Sequence, residues 1–243
     1  MTPGDNVERG RPAAYGDEIV RRRYRIAAGR LPLEGKLILD FGCGNGAQTL
    51  EFLDAVRGVI GVDVDDADLQ TFAAYLRSNG IAKALPVRYD GDGLPLADHT
   101  VDAALSFEVL EHVRNESRAL SEIHRVLKPG GSLILSVPNK WWIFETHGAR
   151  LPLLPWNRIP FVSWLPAPLH RRIARARIYR RRQIIRLLQK AHFDVQGTTF
   201  VTAPLDVITL EPVKRLLRRV LFRNDETSNP FLATAIMVVA TKG

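Results

Sequence analysis

The sequence predicts an α/β domain built on a mostly parallel sheet with helices on both faces. Three observations carry this. Short aliphatic and β-branched runs alternate with amphipathic helical stretches from residue 18 to residue 137. A glycine-rich turn, Gly42-Cys-Gly-Asn-Gly46, joins the first run to the next helix. Helix-stop signals, Asn79-Gly80 and Lys128-Pro-Gly-Gly131, fall between the periodic stretches. With 243 residues, 46% of them apolar, the chain can bury a sizeable core, which excludes wholesale disorder. No window reaches the ~18 uncharged apolar residues of a membrane span.

Taken in order, an amphipathic stretch from Glu18 to Gly29 leads into a strand at Leu37–Phe41 and a helix at Ala47–Val56. A strand is expected at Gly58–Val64, a helix at Asp66–Ser78 and a third strand at Leu85–Tyr89. After Asp90-Gly-Asp-Gly-Leu-Pro, a fourth strand spans Val101–Ser106, a helix Asn115–Leu127 and a fifth strand Ser132–Val137. The pattern changes after Pro138. Asn139 to Ile178 is rich in Pro, Trp and Arg and lacks steady periodicity, which reads as an insertion covering the sheet's C-terminal edge. Regular structure resumes with a helix at Tyr179–Ala191, a strand at Phe193–Val201, a helix at Leu210–Phe222 and a last strand at Thr234–Thr241. The organisation expected is one domain over 1–243, with an N-terminal helical segment at 1–35 and a lid at 139–178.

The glycine turn is the first sign of chemistry. Three glycines let a backbone turn sharply and approach a ligand, with helix amides pointing at it. The spacing Gly42-x-Gly44-x-Gly46 is shorter than the dinucleotide G-x-G-x-x-G pattern, and no Gly-Lys-Ser/Thr follows as in a phosphate loop. Asp63 closes the second strand in Gly-Val-Asp-Val64, where an acid can accept both hydroxyls of a ribose. Asp90, after the third strand, is placed either to accept from an adenine amino group or to begin a turn. Cys43 stands at a helix N-terminus, which stabilises thiolates, but no base is visible beside it, so it reads as structural. As the lone cysteine it excludes an intrachain disulfide and a cysteine-rich zinc site.

With four segments now in hand, the chain resembles the class I S-adenosylmethionine-dependent methyltransferases, in the small-molecule branch that includes ubiquinone and menaquinone biosynthesis enzymes. The segments are LDFGCGNG (Leu39–Gly46), GVDV (Gly61–Val64), YDGDGLPLADHTVDAALSFEVLEHV (Tyr89–Val113) and LKPGGSLILSVPN (Leu127–Asn139). The resemblance implies a Rossmann-like, doubly wound sheet of seven strands in the order 3-2-1-4-5-7-6, the last strand antiparallel. It implies S-adenosyl-L-methionine as cofactor and S-adenosyl-L-homocysteine as product. Gly42, Cys43, Gly44 and Gly46 would pass under the methionyl portion and Asp40 would help anchor its amino group. Asp63 and Val64 would hold the ribose, Asp90 and Gly91 would frame the adenine, and Ser106 and Phe107 would end the fourth strand beside the sulfonium.

Activation of the acceptor points to Glu108, Glu111 and His112, which a helical turn groups on one face, and to His147 in the insertion. His147 is the candidate general base, since an imidazole titrates near neutrality, with His112 as the supporting catalytic imidazole. Two carboxylates and two imidazoles, Glu108, Glu111, His112 and His147, also form a candidate set for a divalent cation. A Glu-x-x-Glu-His set completed by a distant His resembles the metal site of some small-RNA 2′-O-methyltransferases and ubiquinone O-methyltransferases. It also occurs in relatives that bind no metal, and the metal-free role is the one favoured.

Charge and aromatic content bear on the partner. Between Gly148 and Arg223 there are 16 Lys and Arg against 3 acids, while the whole chain carries +8. All four tryptophans (141, 142, 156 and 164) lie in the insertion, and seven arginines follow within His170–Arg182. Lys214-Arg-Leu-Leu-Arg-Arg219 repeats the theme on a helix. The bland reading is a lid with solvated helix faces. The sharper one is a greasy acceptor pocket, or contact with an anionic membrane surface through 141–186, in a chain otherwise expected in the cytoplasm. Nucleic acid fits less well, because no separate module is recognisable and the aromatic cluster precedes the arginines. The function expected is methyl transfer to oxygen or carbon of a small, hydrophobic or anionic acceptor that is aromatic, prenylated or lipid-linked. An RNA methyltransferase with or without metal, and a non-catalytic cofactor-binding subunit, are the alternatives.

Overall fold

The computed structural model describes residues 10, 12–144, 160–203, 205, 210–220 and 222–243. Eight strands form one sheet: β1 (Leu37–Phe41), β2 (Gly58–Asp63), β3 (Ala84–Arg88), β4 (Val101–Phe107), β5 (Leu127–Pro138), β6 (Phe193–Thr202), β7 (Glu226–Thr227) and β8 (Ala233–Lys242). Their order is β3-β2-β1-β4-β5-β8-β6-β7. The pairs β1–β2, β2–β3, β1–β4 and β4–β5 are parallel. β8 runs antiparallel between β5 and β6. Apart from the two-residue β7 on the edge of β6, this is the 3-2-1-4-5-7-6 order that the resemblance implied. β7 was not expected, and two residues carry no periodicity by which to find it.

Helices cover both faces, as continuous apolar strands require. On one face lie α1 (Glu18–Ala28) and α2 (Ala47–Phe52), whose Ile26, Ala27 and Phe52 pack on Ile38, Ala103, Leu105 and Ile134. α3 (Asp66–Ser78) adjoins them through Leu69, Phe72 and Leu76. On the other face, α4 (Glu116–Val126) and, after the short α5 (Ala167–Ile173), α6 (Arg181–Lys190) bury Leu120, Ile123, Ile184 and Leu188 against Leu133, Leu135 and Val238. α7 (Glu211–Val220) stands off the sheet, between β6 and β7.

Several boundaries move for physical reasons. α2 ends at Phe52 instead of Val56, because the Ala55 amide turns back to the Phe52 carbonyl at 3.0 Å. α4 ends at Val126, just before Lys-Pro-Gly-Gly as expected, but β5 begins at Leu127 and not at Ser132. Leu127 is already extended (ψ 139°), and the residues up to Gly131 form an irregularity within β5 instead of a separate turn. The N-terminal helix occupies only Glu18–Ala28, and residues 12–14 before it are non-helical. In the insertion, the described part holds a 3-10 turn at Val162–Trp164 and α5, where no regular structure was expected. Its base is tied to the sheet: Tyr179 N–H donates to Pro138 O and Lys140 N–H to Tyr179 O, both at 2.9 Å.

α1 carries the least expected packing. Arg22 is buried, its guanidinium donating to Thr202 O at 2.8 Å and pairing with Asp225 at 3.0 Å. Arg25 pairs with Asp225 as well, and Arg30 with Glu226, so the helix is stapled to the far edge of the sheet. No described helix is long and apolar enough to cross a membrane.

Candidate cofactor and acceptor site

Strand order reverses between β2-β1 and β4, and the carboxyl ends of β1 and β4 meet at this switch point, the crevice where ligands of such sheets bind. The turn after β1 is locked onto β2. Gly42 and Cys43 amides donate to Val62 O at 2.8 and 3.1 Å, and Gly44 N–H donates to Asp63 Oδ2 at 2.8 Å. Only glycine serves at two of its positions. Gly42 (φ 80°) and Gly46 (φ 82°) lie in the left-handed region, and a Cβ there would overlap Val109 and Phe72 respectively.

Asp63 thus holds the loop with one oxygen, while the other accepts from Asp65 N–H at 2.9 Å. Each carboxylate oxygen keeps a second lone pair, so the half-buried group can still accept hydroxyls. Val64 follows, partly buried. Asp40 lies beneath the turn, almost fully buried, and accepts from the Thr49 hydroxyl at 2.5 Å. Burial pushes its carboxyl up to about 6, against the pull of Thr49, with Asp63 adding to the rise and Arg23 opposing it.

The Cys43 side chain faces inward, packed with Leu69 and Phe72 over Gly61, and burial pushes its thiol far up, so it is neither a nucleophile nor a ligand contact except through its backbone. Of the two roles open to Asp90, the turn is observed: Oδ1 accepts from the Asp92 and Gly93 amides at 2.8 and 3.2 Å, which hold its carboxyl below the usual range. Gly91 (φ 98°) is exposed beside it, with open space where a side chain would be.

Across the crevice, β4 ends in buried Ser106 and Phe107, the Phe107 ring stacking on Phe52 with the Arg23 guanidinium 6.0 Å from its centroid. Glu108 follows in a left-handed conformation (φ 57°), uncommon for a residue with a side chain. Its backbone N–H and its Oε1 are both tied to Ser136, by the carbonyl at 3.1 Å and the hydroxyl at 2.8 Å. Glu111 is fully buried, and burial together with the Glu108 charge raises its carboxyl well above the usual range. His112 Nε2 lies 3.9 Å from Glu111 Oε1. Among the described residues no three His, Cys, Asp or Glu side chains converge as a cation site. His147 lies outside the described residues, as does Trp156.

Residues that the sequence did not single out roof the crevice. Gly10 sits against the His112 ring and Pro12 against Gly44. Asn45 Nδ2 donates to Ala13 O at 3.1 Å, and Tyr15 Oη donates to Asn45 O at 2.6 Å while its ring stacks on Tyr75. The segment therefore runs from the loop after β4 to the turn after β1. Thr49, Arg23 and Ser136 were also missed.

Residues 39–135 match the family model described as a methyltransferase domain. That stretch runs from within β1 into β5 and contains β2 to β4, the glycine turn, Asp63 and the Glu108–His112 segment. The centre of this chain is thus similar to a methyltransferase domain. A protein of Mycolicibacterium smegmatis named as a probable S-adenosylmethionine-dependent methyltransferase is 33% identical over 153 residues, 62% of this chain and 56% of that one. A ubiquinone biosynthesis O-methyltransferase of Pseudomonas paraeruginosa is 31% identical over 134 residues, 52% of this chain and 56% of its own length. The matches thus span about half the length of these relatives. Among solved structures, an S-adenosylmethionine-dependent methyltransferase from Mesorhizobium loti superimposes with a TM-score of 0.60 at 18% identity, covering 90% of this chain and 96% of that one, which shows the shared fold.

S-adenosylmethionine, the cofactor in the name of the Mycolicibacterium smegmatis relative, carries a sulfonium, an ammonium and a ribose diol. The donor set suits it. Asp40 is a buried carboxyl with only partial cationic compensation, and Asp63 keeps acceptor capacity at the crevice. A ligand with two cationic centres and a diol answers both.

Proposed function

We propose that the chain transfers a methyl group from S-adenosylmethionine to oxygen or carbon of a small, largely apolar or anionic acceptor. The observation that carries this reading is the Asp63–Gly44 contact of 2.8 Å, which sets a diol-accepting carboxylate against a ligand-approaching turn at the sheet's switch point. Bound there, the sulfonium supplies an already electrophilic methyl group. The protein's part is orientation and exclusion of water. Asp63 accepts the ribose hydroxyls, Asp40 stabilises positive charge above it, and Gly10 with Pro12, Ala13 and Tyr15 closes the crevice.

On the acceptor side, Glu108, held by Ser136, and His112 beside Glu111 form the wall, and His147 takes the acceptor proton. An apolar acceptor is supported by the aromatic residues that leave β5, Trp141, Trp142 and Phe144, and by the O-methyltransferase named among the relatives. We place the enzyme in the cytoplasm, in keeping with its single, buried and unpaired Cys43.

The test is incubation of the chain with methyl-tritiated S-adenosylmethionine and a panel of catechols, quinols and polyprenyl phenols. Label partitioning into organic solvent, and lost in the Asp63→Ala variant, supports the reading. Label no greater than with boiled protein across the panel, together with label in added RNA, contradicts it.

A further inference from the structure

α7 and the aromatic row beside it leave the same end of the sheet. β6 runs parallel to β5, since both pair antiparallel with β8, so α7, which follows β6, starts from the carboxyl edge where the crevice opens. Its base is a small apolar cluster of Trp142, Ala203, Leu205 and Phe222. Beyond that base every described side chain of α7 is exposed. Val213, Leu216 and Val220 are spaced by three and four residues and share one stripe, with Leu210 just before the helix in line. Leu216 and Val220 are 62% and 66% exposed, which is unusual for large apolar residues on one face. Arg215, Arg218 and Arg219 occupy the other side of the helix.

A second apolar surface adjoins it. Phe161, Trp164, Phe231 and Trp141 stack edge to edge at 5.1, 5.9 and 5.8 Å, and Phe161, Trp164 and Phe231 are exposed. Arg180 lies 5.5 Å from the Trp141 ring. Leu232, next to Phe231, accepts from the Ala203 amide at 3.2 Å, so the row meets the base of α7.

We infer that α7 is an interfacial helix that docks the carboxyl edge of the protein on an anionic lipid bilayer, with the Phe161–Trp164–Phe231 row entering the interface alongside. The chemistry fits one occupant. An apolar stripe flanked by arginines inserts at the headgroup boundary while its cations meet anionic lipid, and Trp prefers that depth. The segment 148–223 holds 16 basic residues against 3 acidic ones, a surplus that attracts an anionic plane. Pairing two copies through the stripe would leave the positive surplus of 148–223 unanswered, and a nucleic acid would leave Leu216 and Val220 in water. The docked orientation would face the crevice toward the bilayer. The inference stands whether or not the chain transfers methyl groups, because it is read by partitioning alone.

The experiment is co-sedimentation of the intact chain with vesicles of phosphatidylcholine, and of phosphatidylcholine with an equal part of phosphatidylglycerol, at low and high salt. Binding to the anionic vesicles should exceed binding to neutral ones by at least about tenfold and weaken with salt. The double variant Leu216→Glu/Val220→Glu should lose about tenfold in partitioning with unchanged circular dichroism, since both sites are exposed. Arg215→Glu/Arg219→Glu should abolish the preference for anionic vesicles. Brominated lipid should quench tryptophan fluorescence of the wild-type chain only. The inference is overturned if the wild-type chain stays in the supernatant with anionic vesicles. It is equally overturned if the Leu216/Val220 variant binds them like wild type, or if that variant instead splits a dimer seen by light scattering. Retention on an RNA homopolymer without vesicle binding overturns it too.

Discussion

The Thr49 hydroxyl donates to the carboxyl of Asp40 at 2.5 Å, holding a charge-bearing group that is otherwise sealed beneath the glycine turn. One hydroxyl does not offset burial, so the carboxyl titrates near 6. A carboxyl whose folded value lies above its unfolded one costs stability as pH rises from about 4 to about 6, and the cost persists above that. Two pH units set an upper bound of about 3 kcal/mol. Asp40→Asn should therefore raise the melting temperature at pH near 7.5 by several degrees and change it little near pH 4. The same variant should bind S-adenosylmethionine more weakly. Melting curves at both pH values, paired with calorimetric affinities, check both effects; a neutral-pH loss of stability would contradict the burial argument.

Cofactor affinity should carry the same titration. Positive charge above Asp40 favours its ionised form, so binding near pH 6 should release a proton, and affinity should rise with pH through that range before levelling off. Calorimetry in two buffers of different ionisation enthalpy measures the proton directly.

Glycine positions divide by what surrounds them. Gly46→Ala would meet Phe72 in a left-handed conformation and should destabilise by about 2–4 kcal/mol. Gly91→Ala has open space and carries only the conformational strain, about 1 kcal/mol. Urea midpoints of the two variants should differ in that order.

Most of the architecture was legible because strands buried on both faces and helices buried on one leave different periods. Leu37–Phe41 and Asp66–Ser78 fall where the pattern puts them. The antiparallel place of β8 was implied by resemblance, since Thr234–Thr241 looks like any buried strand. The N-terminal roof was illegible: Gly10 to Tyr15 is short and aperiodic, and its partners His112, Asn45 and Tyr75 are far along the chain. Arg22 was illegible for the same reason. Within Arg21-Arg-Arg-Tyr-Arg25 every arginine reads as solvated, and only Asp225, some 200 residues on, explains why one is buried.

The roof makes a kinetic prediction. Tyr15 ties it down by a hydrogen bond to Asn45 O and a ring stacked 4.7 Å from Tyr75. Tyr15→Ala should speed S-adenosylhomocysteine release by about tenfold, the worth of one hydrogen bond and one ring contact, with little change in global stability. Stopped-flow displacement reads the rate, and limited proteolysis should show earlier cleavage before residue 17.

The central claim is that the turn after β1 and the carboxylate ending β2 seat an adenosyl ligand. Isothermal titration of the purified chain with S-adenosylhomocysteine tests it most directly. The account predicts one site per chain, with affinity cut by about 30- to 100-fold in Asp63→Ala, the cost of losing hydrogen bonds to a charged acceptor. No saturable heat in the wild-type chain, or an unchanged affinity in the variant, would contradict it.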